Sequence, residues 1–115
     1  MIHAYKILTR PVFYHQLPTI RGSVKEQAEG VIHLSAWTSI GNTLVRKFSD
    51  HKEDLILVKV DLEEVVRGGR VHYHHRFPSI RGIKPYIDEE AIVWARLLTI
   101  VNPQSGEFLT SPDKA

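Results

Sequence analysis

The residue that the sequence marks most clearly for chemistry is His33, within the segment Gly30-Val31-Ile32-His33-Leu34-Ser35. A neutral imidazole can exchange hydrogen bonds with a sugar hydroxyl, and it can act as a general base near neutral pH. The alternation in this segment predicts a strand with Ile32 and Leu34 on one face and His33 on the other. His33 is therefore free of the main core and is a candidate site residue; the alternative is a histidine bonded to a backbone carbonyl in the sheet.

Ser35 lies two residues further on, on the same face as His33 and just before a predicted helix. The start of a helix exposes N–H groups and the positive end of the helix dipole, which suits a phosphate group. Ser35 itself is predicted to be the N-cap of that helix, and this role leaves the neighbouring N–H groups able to bind an anion.

Three of the 7 histidines fall in His72-Tyr73-His74-His75, inside a predicted strand over residues 71–77. On such a strand His72, His74 and Arg76 share one face, which is most simply a solvated face. Two histidines at this spacing could also hold a metal with a third ligand from elsewhere, for example His33, or His74 and Arg76 could hold phosphate in a cleft. No metal site is predicted, because the two histidines would need a third ligand that the sequence does not place. Because the chain has no cysteine, a disulfide scaffold, a thiolate zinc site and a cysteine nucleophile are excluded.

These residues must be positioned by a small core, since 115 residues with 43% hydrophobic content fit one domain. The pattern predicts an α+β domain over residues 1–101, with small mixed or antiparallel sheets and short helices, followed by a loose polar tail over 102–115. Hydrophobic periodicity and capping signals predict the elements: strands over 3–9, 31–35, 54–62, 71–77 and 91–101; helices that begin at Pro11, after Ser23 and at Trp37; and a loop over 77–86. Ser23 and Glu26 are predicted to form a capping box, and Gly30 is predicted to end the short helix that they start. Trp37, Phe48 and Trp94 are predicted to be core residues.

The net charge, the length of the apolar runs and the first residues of the chain indicate which partners and location to expect. The formal net charge is +2, but the basic residues are scattered, so nucleic-acid binding is possible and not indicated. No run approaches the roughly 20 apolar residues that a membrane helix needs. The first residues also lack the pattern of a signal peptide. We therefore expect a cytoplasmic protein without a membrane partner, and the oligomeric state stays open.

Several stretches recur in the same order in one known family: Tyr5-Lys6-Ile7, the Gly30–Ser35 segment, Leu57-Val58-Lys59-Val60-Asp61, Phe77-Pro78 and Ala91-Ile92-Val93-Trp94. Over roughly residues 5–97 the chain resembles the family catalogued as domain of unknown function 952. That resemblance implies a fold similar to the ADP-ribosyltransferases, in which two small sheets surround a cleft for a nicotinamide dinucleotide. It implies that His33 binds a ribose hydroxyl, with NAD as a substrate. RNA 2′-phosphotransferases share this scaffold.

The chain departs from the family pattern at several places, among them Val31 in place of Phe and Tyr73-His74-His75 in place of a stretch with an acidic residue. Glu26 stands where the family usually has Asp, and Phe77-Pro78-Ser79-Ile80-Arg81-Gly82 replaces a Phe-Pro-His-Leu-Tyr-Gly motif, so that a cation occupies the place of a hydrogen-bonding side chain. The late-strand glutamate that the superfamily's transferases often use has no evident counterpart.

Two functions follow as hypotheses. The first is a nucleotide-binding transferase or hydrolase acting on NAD or ADP-ribose, whose proposed residues are these: catalytic His33 and His74, and nucleotide-binding Lys6, His33, Ser35, Arg76 and Arg81. For Lys6 the alternative is an ammonium that reaches out to the surface. The second function is a non-catalytic ligand-binding or interaction module on the same scaffold.

Overall fold

The computed structural model describes residues 2–114 and builds them from short helices and nine strands. The elements are, in chain order, β1 (His3–Thr9), α1 (Arg10–Gln16), β2 (Thr19–Ile20), α2 (Val24–Glu29), β3 (Val31–His33), α3 (Ile40–Thr43), β4 (Leu55–Asp61), β5 (Arg70–His72), β6 (Ser79–Arg81), β7 (Ile87–Asp88), β8 (Ile92–Asn102) and β9 (Glu107–Lys114). Three segments are short 3-10 helices, namely Trp37–Ser39, Leu62–Glu64 and Glu89–Ala91, and Leu44–Phe48 is a π-helical turn.

Four strands form the main sheet, in the order β1-β4-β8-β9 with every neighbouring pair antiparallel. β4 lies inside this sheet, and all of its residues except Lys59 are buried. Both faces of β4 are therefore covered, which explains why its sequence is a nearly continuous apolar run.

Two smaller antiparallel sheets complete the fold. One has the order β3-β6-β5, and the other pairs β2 with β7. His33 at the end of β3 lies opposite Ser79 of β6. The predicted α+β class, with small sheets and short helices, is confirmed, and the pairings between described strands are antiparallel.

The main sheet separates two hydrophobic clusters. The larger one packs Ala4, Leu8, Ile56 and Val58 against the small sheets, where Ile32 and Ile80 are fully buried. The smaller one lies on the other side, and its buried members are Tyr5, Ile7, Ile40, Leu44, Leu55, Leu57 and Leu98. Successive residues of β1 point to opposite faces, and in this way the sheet holds both clusters together.

The helical segment 37–48 differs from the regular helix that its apolar stripe predicts. It begins with a 3-10 turn, continues as α3 and ends with a π-helical turn. The prediction that Trp37 is a core residue is wrong, because 50% of its surface is exposed. Its ring instead makes T-shaped contacts with Tyr5 and Phe108 at centroid distances of 5.2 and 5.5 Å. Phe48 and Trp94 are partly buried against the smaller cluster.

Two predictions about residues 71–86 are wrong. The strand predicted over 71–77 ends at His72, because His74 Nδ1 accepts the backbone N–H groups of Arg76 and Phe77, each at 3.2 Å, and so closes a turn. The predicted loop over 77–86 contains β6, whose Ile80 is fully buried between β3 and β5.

The loose tail predicted after residue 101 is also wrong over most of its length. Residues Glu107–Lys114 form β9, which pairs with β8 and is an edge of the main sheet. The polar composition reflects an edge strand with one exposed side, while Phe108 contributes to the smaller cluster. Within residues 2–114, no helix has the length and apolar character that a membrane crossing requires.

Candidate functional site

A cleft of about 500 Å³ opens between β1, α2, the end of β3 and the helical segment 37–48. Its polar lining comes from residues distant in sequence: Lys6, Thr9, Ser23, Lys25, Glu26, Glu29, His33, Ser35, Thr43, Arg46 and Lys47. Apolar side chains complete it, namely Tyr5, Ile7, Leu8, Val12, Leu34, Phe48 and Phe77. Four cationic and two acidic side chains thus share one cleft of small-molecule size.

A buried ion pair between Lys6 and Glu26 lies in this lining. The ammonium of Lys6 donates to both carboxylate oxygens of Glu26, at 2.7 and 2.6 Å, and only 7% and 8% of the two residues is exposed. The alternative that Lys6 reaches out to the surface is therefore wrong. Burial raises the pKa of the Glu26 carboxyl, but the Lys6 charge and hydrogen bonds from Lys6, Ser23 and His33 outweigh it and hold that pKa below its ordinary value.

The local sequence around α2 positions the Glu26 side chain for its ion pair with Lys6. Ser23 Oγ accepts the Glu26 N–H at 3.1 Å, and Glu26 Oε1 accepts the Ser23 N–H at 3.0 Å, so the predicted capping box is present. Gly30 ends α2 in the left-handed conformation, as predicted. Sequence reasoning assigned Glu26 to the cap and to a family position, whereas its carboxylate also holds Lys6.

The same ion pair fixes the backbone of His33 on both sides. Glu26 Oε2 accepts the His33 N–H at 2.6 Å, and the Lys6 ammonium donates to the His33 carbonyl at 3.0 Å. We call Lys6, Glu26 and the His33 backbone the main-chain clamp. The neighbouring Ile32 and Leu34 are buried as predicted, while the His33 side chain is exposed and lines the cleft.

The surroundings of His33 lower its pKa and favour the neutral imidazole. Partial burial lowers its pKa, the Glu26 charge raises it, and the charges of Lys47 and Lys6 lower it, with a net value below the ordinary one. A neutral ring offers one donor nitrogen and one acceptor nitrogen. It can therefore bind a hydroxyl group or take up a proton during a reaction.

Ser35 lines the cleft, but the structure contradicts its predicted role as N-cap. The Ser35 N–H and carbonyl both bond to Tyr5, at 2.9 and 2.8 Å, and this bridge keeps the backbone extended for one more residue. Ala36 takes the N-cap position without a side-chain bond. Ser35 Oγ instead lies 2.9 Å from Thr43 Oγ1. Because the Ala36 N–H also donates, to the Arg76 carbonyl, the amides of residues 35 and 36 are not available to an anion.

Arg46 and Lys47 supply positive charge that sequence reasoning missed. Both line the cleft from the last turn of the helical segment 37–48. Neither takes part in an ion pair with another residue of the described range 2–114, and the Arg46 guanidinium lies 5.4 Å from the ring centroid of Phe77. In the sequence, Arg46 and Lys47 form a basic pair on the polar face of a predicted amphipathic helix. Such a face is ordinarily solvated, so the pattern did not indicate a site.

The predicted site residues separate into two groups. Lys6, His33 and Ser35 meet in the cleft. His74 lies at a second, smaller hollow of about 240 Å³. Arg76 and Arg81 are exposed outside the cleft lining, and Arg81 Nε donates to Ser79 Oγ at 3.2 Å.

None of these three side chains lines the cleft. His74 and Arg76 belong to the exposed stretch that follows β5. Arg81 lies on β6 and bonds to Ser79, the residue that pairs with His33, so it lies near His33 without entering the cleft lining. Phe77 is the member of that region that reaches the cleft. Among residues 2–114, no three His, Asp or Glu side chains are grouped closely enough to hold a metal ion.

An α+β fold of three antiparallel sheets, with a polar cleft beside β1 and the end of β3, thus defines the class of this protein. The family profile described as "Protein of unknown function (DUF952)" matches residues 12–94, and the chain belongs to this family. No curated protein matches it.

Solved structures of protein CC0527 from Caulobacter crescentus share the fold. An X-ray structure is 22% identical with a TM-score of 0.73, covering 90% of this chain and 92% of that one, and a double-mutant form gives the same values. A solution NMR structure is 25% identical with a TM-score of 0.58 and covers 83% of each chain. These likenesses establish the architecture and leave ligand and activity to be argued from the cleft.

Proposed function

We propose that the cleft binds a nucleotide that carries both ribose hydroxyls and phosphate, of the NAD or ADP-ribose type. The observation that carries the proposal is the shared lining of the cleft by the His33 imidazole and by two cations, Arg46 and Lys47. A volume of about 500 Å³ lies within the usual range for sites that enclose small molecules.

The charge distribution supports an anionic ligand. Both acidic side chains of the cleft are paired with lysines. Arg46 and Lys47 have no such partner among the described residues, so the cleft retains positive charge. A guanidinium presents a planar fork of donors that matches two phosphate oxygens, and an adjacent ammonium adds a point charge.

The main-chain clamp supports a role for His33 in recognition. Because Lys6 and Glu26 hold the His33 backbone from both sides, the imidazole projects from a fixed position. Pre-organised groups bind more tightly because less conformational entropy is lost on association. In this scheme His33 contacts a ribose hydroxyl, and Arg46 with Lys47 holds the phosphates.

On NAD the corresponding reaction is cleavage of the nicotinamide–ribose bond. The bonding electrons leave with nicotinamide, an oxocarbenium-like ribose remains, and water or an acceptor hydroxyl adds at the same carbon while its proton passes to His33. This reaction makes the protein a hydrolase or transferase.

A specific observation favours a second candidate, a ligand-binding module without catalysis. Both oxygens of the Glu26 carboxylate are already engaged by the Lys6 ammonium and by the N–H groups of Ser23 and His33. Glu26 is thus unavailable to stabilise a cationic ribose. The remaining acidic residue of the cleft, Glu29, lies 4.0 Å from the Lys25 ammonium at an exposed position.

Calorimetric titration with ADP-ribose and NAD tests the binding proposal. We expect His33→Ala to weaken ADP-ribose binding roughly 3–10-fold, as for the loss of one hydrogen bond, and Arg46→Gln to weaken it roughly 10–100-fold, as for a contact to a charged group. His72→Ala and Arg67→Gln are matched controls outside the cleft, and they should bind like the parent protein.

The absence of binding to the parent protein at millimolar ligand would defeat the proposal. Release of nicotinamide from NAD then separates the two candidates. Release that His33→Ala abolishes selects the enzyme, and tight binding without release selects the module.

A further inference from the structure

We infer that Ser35 presents only hydrogen-bond acceptor sites to the cleft, so that the bound ligand must place a hydroxyl group, and not a phosphate oxygen, against it. This inference rests on the proposed nucleotide binding and adds the orientation of the ligand. It reverses the sequence-based prediction that the Ser35 region binds an anion.

The direction of one hydrogen bond follows from a count of protons. Thr43 Oγ1 lies 3.1 Å from the carbonyl oxygen of Ser39, which can only accept, so Thr43 donates its single hydroxyl proton there. The 2.9 Å contact between Ser35 Oγ and Thr43 Oγ1 must then be donated by Ser35. If the contact ran the other way, Thr43 would lose its bond to the Ser39 carbonyl inside a buried site.

The surroundings hold this direction in place. Ser35, Ser39 and Thr43 are all buried, so water does not compete freely for their hydroxyl protons. The Ser35 N–H and carbonyl are both bonded to Tyr5. The remaining polar group that Ser35 can offer to the cleft is therefore Oγ, whose proton is engaged and whose lone pairs are free.

The consequence is a cleft with two chemically different binding positions. Phosphate oxygens are acceptors, and they would face the Ser35 lone pairs without a bond. A ribose hydroxyl is a donor and satisfies them. Arg46 and Lys47 offer only donors, and they match the phosphate. The ligand should therefore place a ribose hydroxyl at Ser35 and its phosphates at Arg46 and Lys47, which follow Thr43 in the helical segment 37–48.

A cycle of protein variants and ligand analogues tests this orientation. We would measure the affinity of ADP-ribose and of the deoxy analogues that each lack one ribose hydroxyl, using the parent protein and Ser35→Ala. We expect one deoxy analogue to bind the parent protein roughly fivefold more weakly than ADP-ribose, and Ser35→Ala to bind the two equally.

Ser39→Ala is the matched control, because Ser39 is a buried serine nearby whose hydroxyl is outside the cleft lining. It should retain the parental discrimination. Thr43→Val supplies a second test that keeps Ser35 in place. It frees the Ser35 proton, so the matching deoxyfluoro analogue, whose fluorine accepts but cannot donate, should be disfavoured less by this variant than by the parent protein.

The outcomes separate the two proposals. One outcome is that ADP-ribose binds while every analogue shows the same affinity relative to ADP-ribose in the parent protein and in Ser35→Ala. That result overturns the inference about Ser35, while nucleotide binding stands. If ADP-ribose does not bind the parent protein at millimolar concentration, both are overturned. Discrimination lost with Ser35→Ala and kept with Ser39→Ala supports the inference.

Discussion

Lys6 and Glu26 are twenty positions apart, and their side chains form the buried part of the main-chain clamp. Burying two charges is costly, and the cost is offset only when every donor and acceptor has a partner. Glu26 meets this condition through Ser23, His33 and Lys6, while Lys6 adds the His33 carbonyl. Removal of one partner would leave the other charge buried and unpaired.

We therefore expect Lys6→Met to lower the free energy of unfolding by about 3–5 kcal/mol in urea denaturation. Lys6→Met combined with Glu26→Gln should cost less than the sum of the two single changes, because neither charge is then left alone. Lys25→Met is the matched control. Lys25 pairs with Glu29 at the surface, and its loss should cost at most about 1 kcal/mol. Equal effects of the two lysine substitutions would contradict the role given to the clamp.

The charge state of His33 is a second property at the residue scale. Its pKa is depressed mainly by partial burial, and the positive charge of Lys47 depresses it further. Below the ordinary histidine pKa of about 6.5, the unfolded chain therefore binds a proton more readily than the fold does, and this reduces stability as the pH falls through that value.

We expect NMR titration of the imidazole to give a His33 pKa below about 6.5, and Lys47→Gln to raise it toward that value. Lys52→Gln, which removes a lysine outside the cleft lining, should leave it unchanged. A His33 pKa that does not respond to Lys47→Gln would show that Lys47 lies too far away to act with His33 on one ligand.

At the scale of elements, the turn between α2 and β3 aligns the clamp with the cleft. Gly30 has a φ of +71°, a conformation that L side chains rarely adopt. A Cβ at this position would also collide with the carbonyl oxygen of Gly82, which follows β6. The close approach of these two turns thus sets where Glu26 and His33 meet.

We expect Gly30→Ala to lower the free energy of unfolding by more than about 1 kcal/mol, since backbone strain and a steric clash add. It should also weaken ligand binding through displacement of His33. Gly82→Ala is the control on the facing turn, because a Cβ there lies 3.8 Å from its nearest neighbour and needs no positive φ. Equal thermal shifts for the two variants would be inconsistent with this geometry.

On the scale of the whole molecule, β9 closes the side of the main sheet that carries the helical segment 37–48. Phe108 contacts Trp37 and belongs to the smaller hydrophobic cluster, while Leu109 on the opposite side of the strand is 65% exposed. The helical segment that bears Arg46 and Lys47 is consequently supported by the last residues of the chain.

We expect Phe108→Ala to lower the free energy of unfolding by about 1–3 kcal/mol, somewhat below the range for a fully buried phenylalanine. Leu109→Ala should change it by no more than about 0.5 kcal/mol. Chemical denaturation of the two variants measures both changes in the free energy of unfolding. Negligible losses for both substitutions would indicate that β9 contributes through its backbone alone.

Much of the local structure could be predicted from the sequence. The capping box at Ser23 and Glu26, the end of α2 at Gly30, and the alternation of Ile32, His33 and Leu34 are all confirmed. Such features depend on hydrogen bonds and side-chain directions within a few residues, and the local sequence specifies them. His33 was identified as a candidate by the same means.

What brings the cleft together was decided by the tertiary structure. The partner of Lys6, the hydroxyl that Ser35 bonds, the entry of Arg46 and Lys47 into the cleft, and the pairing of β9 all join residues far apart in sequence. The same packing left His74, Arg76 and Arg81 outside the cleft lining. A turn replaced the end of the predicted strand that holds His74 and Arg76, and β6, which holds Arg81, formed where a loop was expected. Strand order and the burial of charge depend on the whole core, whereas periodicity and capping report only the local backbone.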